Sequence, residues 1–138
     1  MSASGEGVVE RRDAIPGLPA PTGPFVWTAA WGDLLFVSGL RGIDPATGAL
    51  APTDEERAEL IFAHLARALE AGGSSLRHVL STRVYVTEMA RHRPIVNAAY
   101  ERAFGDALPT RTIVEVRALN QGDTIEVEAV AGRIRPSE

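Results

Sequence analysis

Residues 109–116 read Pro-Thr-Arg-Thr-Ile-Val-Glu-Val, and residues 124–130 read Thr-Ile-Glu-Val-Glu-Ala-Val. Both stretches alternate and are rich in β-branched residues, so each predicts a β-strand. The connector at 118–123 contains the Asn, Gly and Asp typical of a chain reversal, which predicts a hairpin. In that hairpin Arg111 and Glu126 would lie near opposite ends of one ladder and would meet only through a small ligand or across a subunit boundary. For arbitrary strand charges, the simpler interpretation is two solvated side chains.

The composition is typical of a soluble, single-domain globular protein. The chain has 138 residues, of which 45% are hydrophobic and 23% charged. No apolar run approaches the ~18 residues of a membrane span, and the first twenty residues lack the apolar core of a signal peptide. The net charge of −4 argues against nucleic acid or an anionic membrane as a partner. The absence of Cys excludes disulfides and thiol catalysis and fits a cytoplasmic protein.

Taken in order, the chain predicts an α+β fold with about six strands and two helices on one sheet face. We expect residues 1–21 to form an extended N-terminal segment with a possible edge strand, and residues 22–138 to form the single domain. A capping box of Thr53 and Glu56 begins the first helix, which runs to about Ala71. The second helix has Pro94 in its first turn and ends at Gly105. The other predicted strands are 25–30, 34–38 and 79–86.

Common catalytic motifs are absent from the sequence. It has no glycine-rich phosphate loop and no nucleophile elbow, and its three histidines lack metal-ligand spacing. It also has no lysine, which excludes a Schiff base. A glycine at position 39, directly after a predicted buried strand, would let a ligand approach the backbone closely. The remaining polar candidates are Arg111, Glu126, Asn97, Ser38, Thr110, Thr112 and Arg41.

Several blocks of the sequence together resemble one known family. They are Gly23-Pro24-Phe25, Leu34-Leu35-Phe36-Val37-Ser38-Gly39, Asp44-Pro45-x-Thr47-Gly48, Leu69-Glu70-Ala71-Gly72-Gly73, Val96-Asn97-x-x-Tyr100 and the two C-terminal strands. In the same order, these blocks are similar to the landmarks of the RidA/YjgF family of imine deaminases. The resemblance spans about residues 22–131.

This resemblance implies a chorismate-mutase-like α+β subunit, with one roughly six-stranded mixed sheet and two helices on one face. It implies a homotrimer with three clefts between neighbouring subunits. Arg111 would clamp a substrate carboxylate and Glu126 would position or activate water, while Asn97 and the backbone of Ser38 and Gly39 line the same cleft. The implied reaction hydrolyses 2-imino or enamine carboxylates to 2-oxo acids and ammonia. No cofactor or metal is expected, because an imine is already electrophilic.

Four positions depart from the family pattern, and each makes the cleft more apolar or bulkier. Phe25 stands where the family has Tyr, Trp27 and Leu40 stand where it has Gln, and Ile113 stands where it has Cys. We therefore expect these residues to border the cleft and to favour a substrate with a bulky apolar or aromatic side chain. For Trp27, the alternative is packing in a subunit interface.

Two other functions remain open on sequence grounds. One is a pathway-specific hydrolase or tautomerase of secondary or aromatic catabolic metabolism that uses the same Arg and Glu. The other is a non-catalytic trimer that binds small carboxylates. Ribonuclease or translation-inhibitor activity, also attributed to family members, is least favoured, because the chain is acidic and lacks a basic patch.

Overall fold

Six strands form one sheet in the computed structural model, which describes residues 7–134. In chain order they are β1 (Glu10–Arg12), β2 (Thr28–Trp31), β3 (Leu34–Leu40), β4 (Val79–Val86), β5 (Thr110–Glu115) and β6 (Ile125–Gly132). Their order across the sheet is β1-β2-β3-β6-β4-β5, and every pairing is antiparallel except the parallel pair β4-β5. β1 is an edge strand and lies within the N-terminal segment where the sequence predicts one; residues 1–6 of that segment lie outside the described residues.

Two helices, α1 (Asp54–Ala71) and α2 (Met89–Phe104), cover one face of the sheet. The predicted capping box begins α1, where the Thr53 hydroxyl accepts a hydrogen bond from the Glu56 backbone N–H at 3.1 Å. The first turn of α1 is acidic, which favours the positive end of the helix dipole. No helix among residues 7–134 has the length and apolar character needed to cross a bilayer.

The two faces of the sheet differ in how well they are covered. Strand positions that face the helices are almost fully buried, including Leu35, Val84 and Val127. The opposite face, here called the outer face, leaves large apolar side chains in solvent. They include Leu34 (40% exposed), Phe36 (46%), Leu80 (51%) and Val114 (36%). Large apolar side chains exposed on one sheet face in this number are typical of a protein–protein interface.

The predicted hairpin between the two C-terminal strands is wrong. β6 lies between β3 and β4, and β5 pairs in parallel with the far edge of β4. Because parallel neighbours need a crossover connection, the helix α2 between β4 and β5 makes this pairing possible. The turn-forming residues 118–123 instead form a wider loop with a short 3₁₀ helix at Asn120–Gly122.

The second helix begins earlier than predicted, so Pro94 is not in its first turn. α2 starts at Met89, whose backbone N–H donates to the Glu115 carboxylate at 2.8 Å. This tertiary contact satisfies one of the free donors at the helix start and extends the helix by a turn. Pro94 then lies inside α2 on its exposed side, and Gly105 ends the helix as predicted.

Candidate active site

A cavity of about 300 Å³ opens between the end of β3, the start of β6 and the segments that flank them. We call it the Glu126 cavity, because the Glu126 carboxylate is its titratable acid. Its lining contains five of the predicted site residues together with four others: Thr22, Phe25, Trp27, Ser38, Gly39, Arg41, Ile43, Asn120 and Glu126. The structure therefore brings together one part of the predicted site.

Gly39 leaves the space that the Glu126 carboxylate occupies. A Cβ atom built on Gly39 would lie 2.0 Å from Oε2 of Glu126 and 2.8 Å from its Cδ. The strand is also irregular here, since the three steps from Val37 to Leu40 face only two steps of β6. Such a bulge is common beside functional sites, because it redirects the side chains that follow it. The absence of a side chain at position 39 is thus a requirement of the acid opposite.

Glu126 is a half-buried carboxylate without a hydrogen-bond partner among residues 7–134. Burial raises the pKa of Glu126, the Arg41 guanidinium opposes that rise, and Asp123 and Glu128 add to it. A carboxylate with a raised pKa is a better base than an exposed one, because its affinity for a proton is higher. An unpartnered, desolvated carboxylate in a cavity is the arrangement expected of a general base.

Arg41 is a further residue of this site. The sequence places it among the polar candidates but gives it no role. It is 7% exposed and lines the Glu126 cavity. Its guanidinium donates to the Asn120 carbonyl at 3.0 Å, to the Gln121 side chain at 2.8 Å and to the Asp123 carboxylate at 3.3 Å. An Arg two residues after Gly39 was visible in the sequence, but its acceptors lie 79 to 82 residues further along the chain.

The second part of the predicted site lies around Arg111, on β5 and α2. The Arg111 guanidinium donates to the side-chain oxygen of Asn97 at 2.7 Å and lies over the Tyr100 ring, 5.0 Å from its centroid. Tyr100 is fixed in turn by a 2.7 Å hydrogen bond between its hydroxyl and that of Thr82. No carboxylate among residues 7–134 forms an ion pair with Arg111. An oriented guanidinium without an acidic partner is suited to bind a carboxylate.

Within one chain, Arg111 and Glu126 lie on opposite faces of the sheet. Arg111 is in register with Thr82, which is buried on the helix side, whereas Glu126 is in register with Tyr85. Thr82 and Tyr85 are three residues apart, so alternation along β4 points them to different faces. A ligand held by Arg111 of a chain therefore cannot also reach Glu126 of the same chain through the intact sheet.

The remaining predicted residues divide between these two parts and the core. Phe25 and Trp27 line the cavity in edge-to-face contact, with ring centroids 5.2 Å apart. The Trp27 indole donates to the Pro19 carbonyl at 2.9 Å. Leu40 does not line the cavity, because the bulge turns it into the core, where it is 1% exposed. Ile113 follows Arg111 on the helix side of β5 and packs against the core.

These features define a two-layer α+β protein whose candidate site is divided between the two faces of its sheet. Residues 17–132 match a family model described as endoribonuclease L-PSP, and the chain belongs to this family, also known as RidA/YjgF. A RutC family protein of Pyrococcus horikoshii is 34% identical over 82% of this chain and 90% of its own length. The 2-iminobutanoate/2-iminopropanoate deaminase of Salmonella typhimurium is 32% identical over 87% of this chain and 95% of its own.

The solved structures agree with the fold. The crystal structure of RidA from an Antarctic Psychrobacter superposes with a TM-score of 0.85 at 26% identity, covering 89% of this chain and 99% of that one. The predicted family and the predicted fold, with two helices on one face of a six-stranded mixed sheet, are thereby confirmed.

Proposed function

We propose that this protein is an imine or enamine deaminase that hydrolyses 2-imino or enamine carboxylates to 2-oxo acids and ammonia. The observation that carries the proposal is the pairing of two incomplete sites. One offers Glu126, a desolvated carboxylate without a hydrogen-bond partner among the described residues. The other offers Arg111, a guanidinium oriented by Asn97. Relatives named as deaminases support the same reaction class.

The proposal requires a homotrimer in which Arg111 of one subunit faces Glu126 of its neighbour. The outer face supports such an assembly, because Phe36 and Leu80 are about half exposed and would be buried against a second subunit. The separation of Arg111 and Glu126 by the sheet supports it too, since one chain cannot close the site alone. Three equivalent clefts would result, one at each subunit boundary.

In the proposed reaction, Arg111 holds the substrate carboxylate through two parallel N–H bonds and so orients the adjacent C=N carbon. Glu126 accepts a proton from water while the water oxygen bonds to that carbon and the imine nitrogen takes up a proton from solvent. Glu126 then returns its proton to the amine of the carbinolamine, the hydroxyl proton passes to solvent, the C–N bond breaks, and ammonia and a 2-oxo acid leave. One water is consumed for each ammonia released.

Phe25 and Trp27 support an altered specificity, with a substrate whose side chain is apolar and bulky. Both residues line the Glu126 cavity, where Phe25 is 38% exposed and Trp27 only 3%, and neither presents a hydroxyl or amide to a ligand. Leu40 gives no support, since it lies in the core. Ile113 stands beside Arg111 on β5, so it would border the substrate only in the assembled cleft.

The test couples an L-amino-acid oxidase to the protein and measures the rates at which ammonia and 2-oxo acid appear. We expect the imine to be hydrolysed faster with the wild-type protein than without it. Glu126→Gln should lower this rate by roughly 10²–10⁴-fold and retain the affinity for the ligand. Light scattering on the same sample should give the mass of a trimer. Binding of 2-oxo acids without any acceleration would favour the non-catalytic trimer, and a product isomeric with the substrate would favour a tautomerase. A stable monomer at micromolar concentration would overturn the shared cleft.

Endoribonuclease activity, which the family description names, receives no support from this site. The chain carries a net charge of −4, and the Glu126 cavity presents a carboxylate to its ligand. Binding of a phosphate backbone depends on clustered basic residues, whereas the negative net charge and the Glu126 carboxylate would both repel it.

A further inference from the structure

Arg41 is the basic residue of the cavity lining, and its three side-chain hydrogen bonds go to one segment, residues 120–123. It leaves β3 directly after Leu40 and is 7% exposed. Of the five N–H donors of a guanidinium, three are engaged with the loop before β6, at Asn120, Gln121 and Asp123. The other donors remain available on a side chain that lines the Glu126 cavity.

The loop that Arg41 holds is itself a wall of the cavity. Asn120 belongs to the cavity lining, and Gln121 next to it has a positive φ of 59°, which is uncommon for a residue other than glycine. Such a conformation persists when surrounding contacts fix it. The 2.8 Å bond from Arg41 to the Gln121 side chain and the 3.0 Å bond to the Asn120 carbonyl are contacts of that kind.

Three charged groups act on the Glu126 carboxylate, namely Arg41, Asp123 and Glu128. Arg41 approaches from the end of β3, and Asp123 from the loop that precedes β6. Glu128 lies on the same face of β6, where its carboxylate accepts a 2.5 Å hydrogen bond from the Tyr85 hydroxyl of β4. Arg83, the register partner of Glu128, adds a cation further along β4. Arg41 is the cation among these groups that opposes the rise in the pKa of Glu126.

We propose that Arg41 is a positioning residue of the active site: it fixes the 120–123 wall of the cavity and places a permanent cation beside the Glu126 carboxylate. Asp123 partly offsets the electrostatic effect of the Arg41 charge on Glu126, because its carboxylate lies 3.3 Å from Arg41 and is fully buried. Arg57 approaches the other oxygen of Asp123 at 3.7 Å, so Asp123 remains paired even when Arg41 is replaced. The inference rests on the proposed role of Glu126 as a base.

The test compares Arg41→Met, Arg41→Lys and Asp123→Asn with the wild type. The readouts are the pH profile of kcat/KM and a carbon-13 NMR titration of the Glu126 carboxyl, which Glu126→Gln assigns. Removing the cation in Arg41→Met should move the acid limb and the Glu126 titration to higher pH. Removing the anion in Asp123→Asn should move both to lower pH. Arg41→Lys keeps the charge but loses the fork, so it should raise KM while leaving the acid limb near its wild-type position.

Opposite shifts in Arg41→Met and Asp123→Asn are the expected result. A Glu126 titration that is the same in all folded variants would overturn the proposal and leave Arg41 as a structural residue that affects thermal stability alone. If Arg41→Met does not fold, the proposal is still tested by the other two variants. Asp123→Asn must shift the Glu126 titration to lower pH, and Arg41→Lys must leave the acid limb near its wild-type position. The NMR arm needs no turnover, so a wild type that lacks deaminase activity would refute the proposed function and still leave the role of Arg41 measurable.

Discussion

Gly39→Ala should separate activity from stability in this protein. Gly39 has no positive φ, so alanine can adopt its backbone conformation. The new Cβ, however, would lie 2.0 Å from Oε2 of Glu126, and ordinary contact begins near 3.4 Å, so the carboxylate oxygen must move by about 3.4 − 2.0 = 1.4 Å. A misplacement of about 1 Å in a reacting group costs about 100-fold in rate, equivalent to about 2.7 kcal/mol of transition-state stabilisation.

The fold should tolerate the same substitution. The clashing atoms belong to the flexible end of the Glu126 side chain, which can rotate at a cost of about 1 kcal/mol. Alanine also lowers the entropy of the unfolded chain, which contributes about 0.4–1 kcal/mol in the opposite direction. We therefore expect the free energy of unfolding to change by less than about 1 kcal/mol while kcat falls about 100-fold.

Urea denaturation and the coupled ammonia assay measure the two quantities on one preparation. Gly132→Ala is the matched control on β6, because a Cβ there would meet its nearest atom, the His78 carbonyl oxygen, at 3.9 Å. It should resemble the wild type in both assays. In a Glu126→Gln background, Gly39→Ala should cost little additional rate, since the base is already absent. Full activity in Gly39→Ala, or equal losses with and without the Glu126 carboxylate, would refute the steric argument.

Three further predictions concern charge, pH and specificity. Arg111→Lys should weaken binding of a 2-oxo acid, measured by calorimetry, nearly as much as Arg111→Ala, because one ammonium cannot replace the planar fork; recovery of affinity with Lys would contradict the clamp. Burial raises the pKa of Glu126 above its ordinary 4.5, so the folded state favours the protonated acid and the wild type loses stability as pH rises from 4.5 through the folded pKa. Denaturation should accordingly show Glu126→Gln gaining stability relative to the wild type between pH 4 and pH 7, and a constant difference would argue against this desolvation. Trp27→Gln should shift the kcat/KM preference from imines of phenylalanine towards those of alanine, and an unchanged preference would assign Trp27 to packing alone.

Local patterns in the sequence were sufficient for most elements. The alternation at 79–86 predicted β4 with its observed bounds, and the Thr53 capping box placed the start of α1. These predictions succeed because the signals are short-range: the side-chain period of a strand and the hydrogen bonds of a helix cap involve residues a few positions apart. The resemblance to the RidA/YjgF family also came from contiguous motifs, and the family match at 17–132 confirms it.

Residues whose neighbours are distant in the chain were less predictable. Leu40 is the last residue of β3, a strand that alternates regularly up to Val37, and continued alternation would have pointed it away from the core. One extra residue in the bulge reverses that direction, and the bulge is defined by the pairing with β6, nearly ninety positions away. The role of Arg41 could not be predicted from the sequence for the same reason, since its hydrogen-bond acceptors lie in the distant loop before β6.

The two C-terminal strands show the limit most clearly. Their sequence determined that Arg111 and Glu126 each stand on a strand, and which of their own neighbours share a face with them. Only the tertiary structure decided that β4 lies between the two strands and that the residues therefore face opposite sides of the sheet. The physical reason is that alternation fixes a side chain relative to its own strand, whereas the neighbour of a strand depends on the crossover through α2 and on burial across the whole sheet.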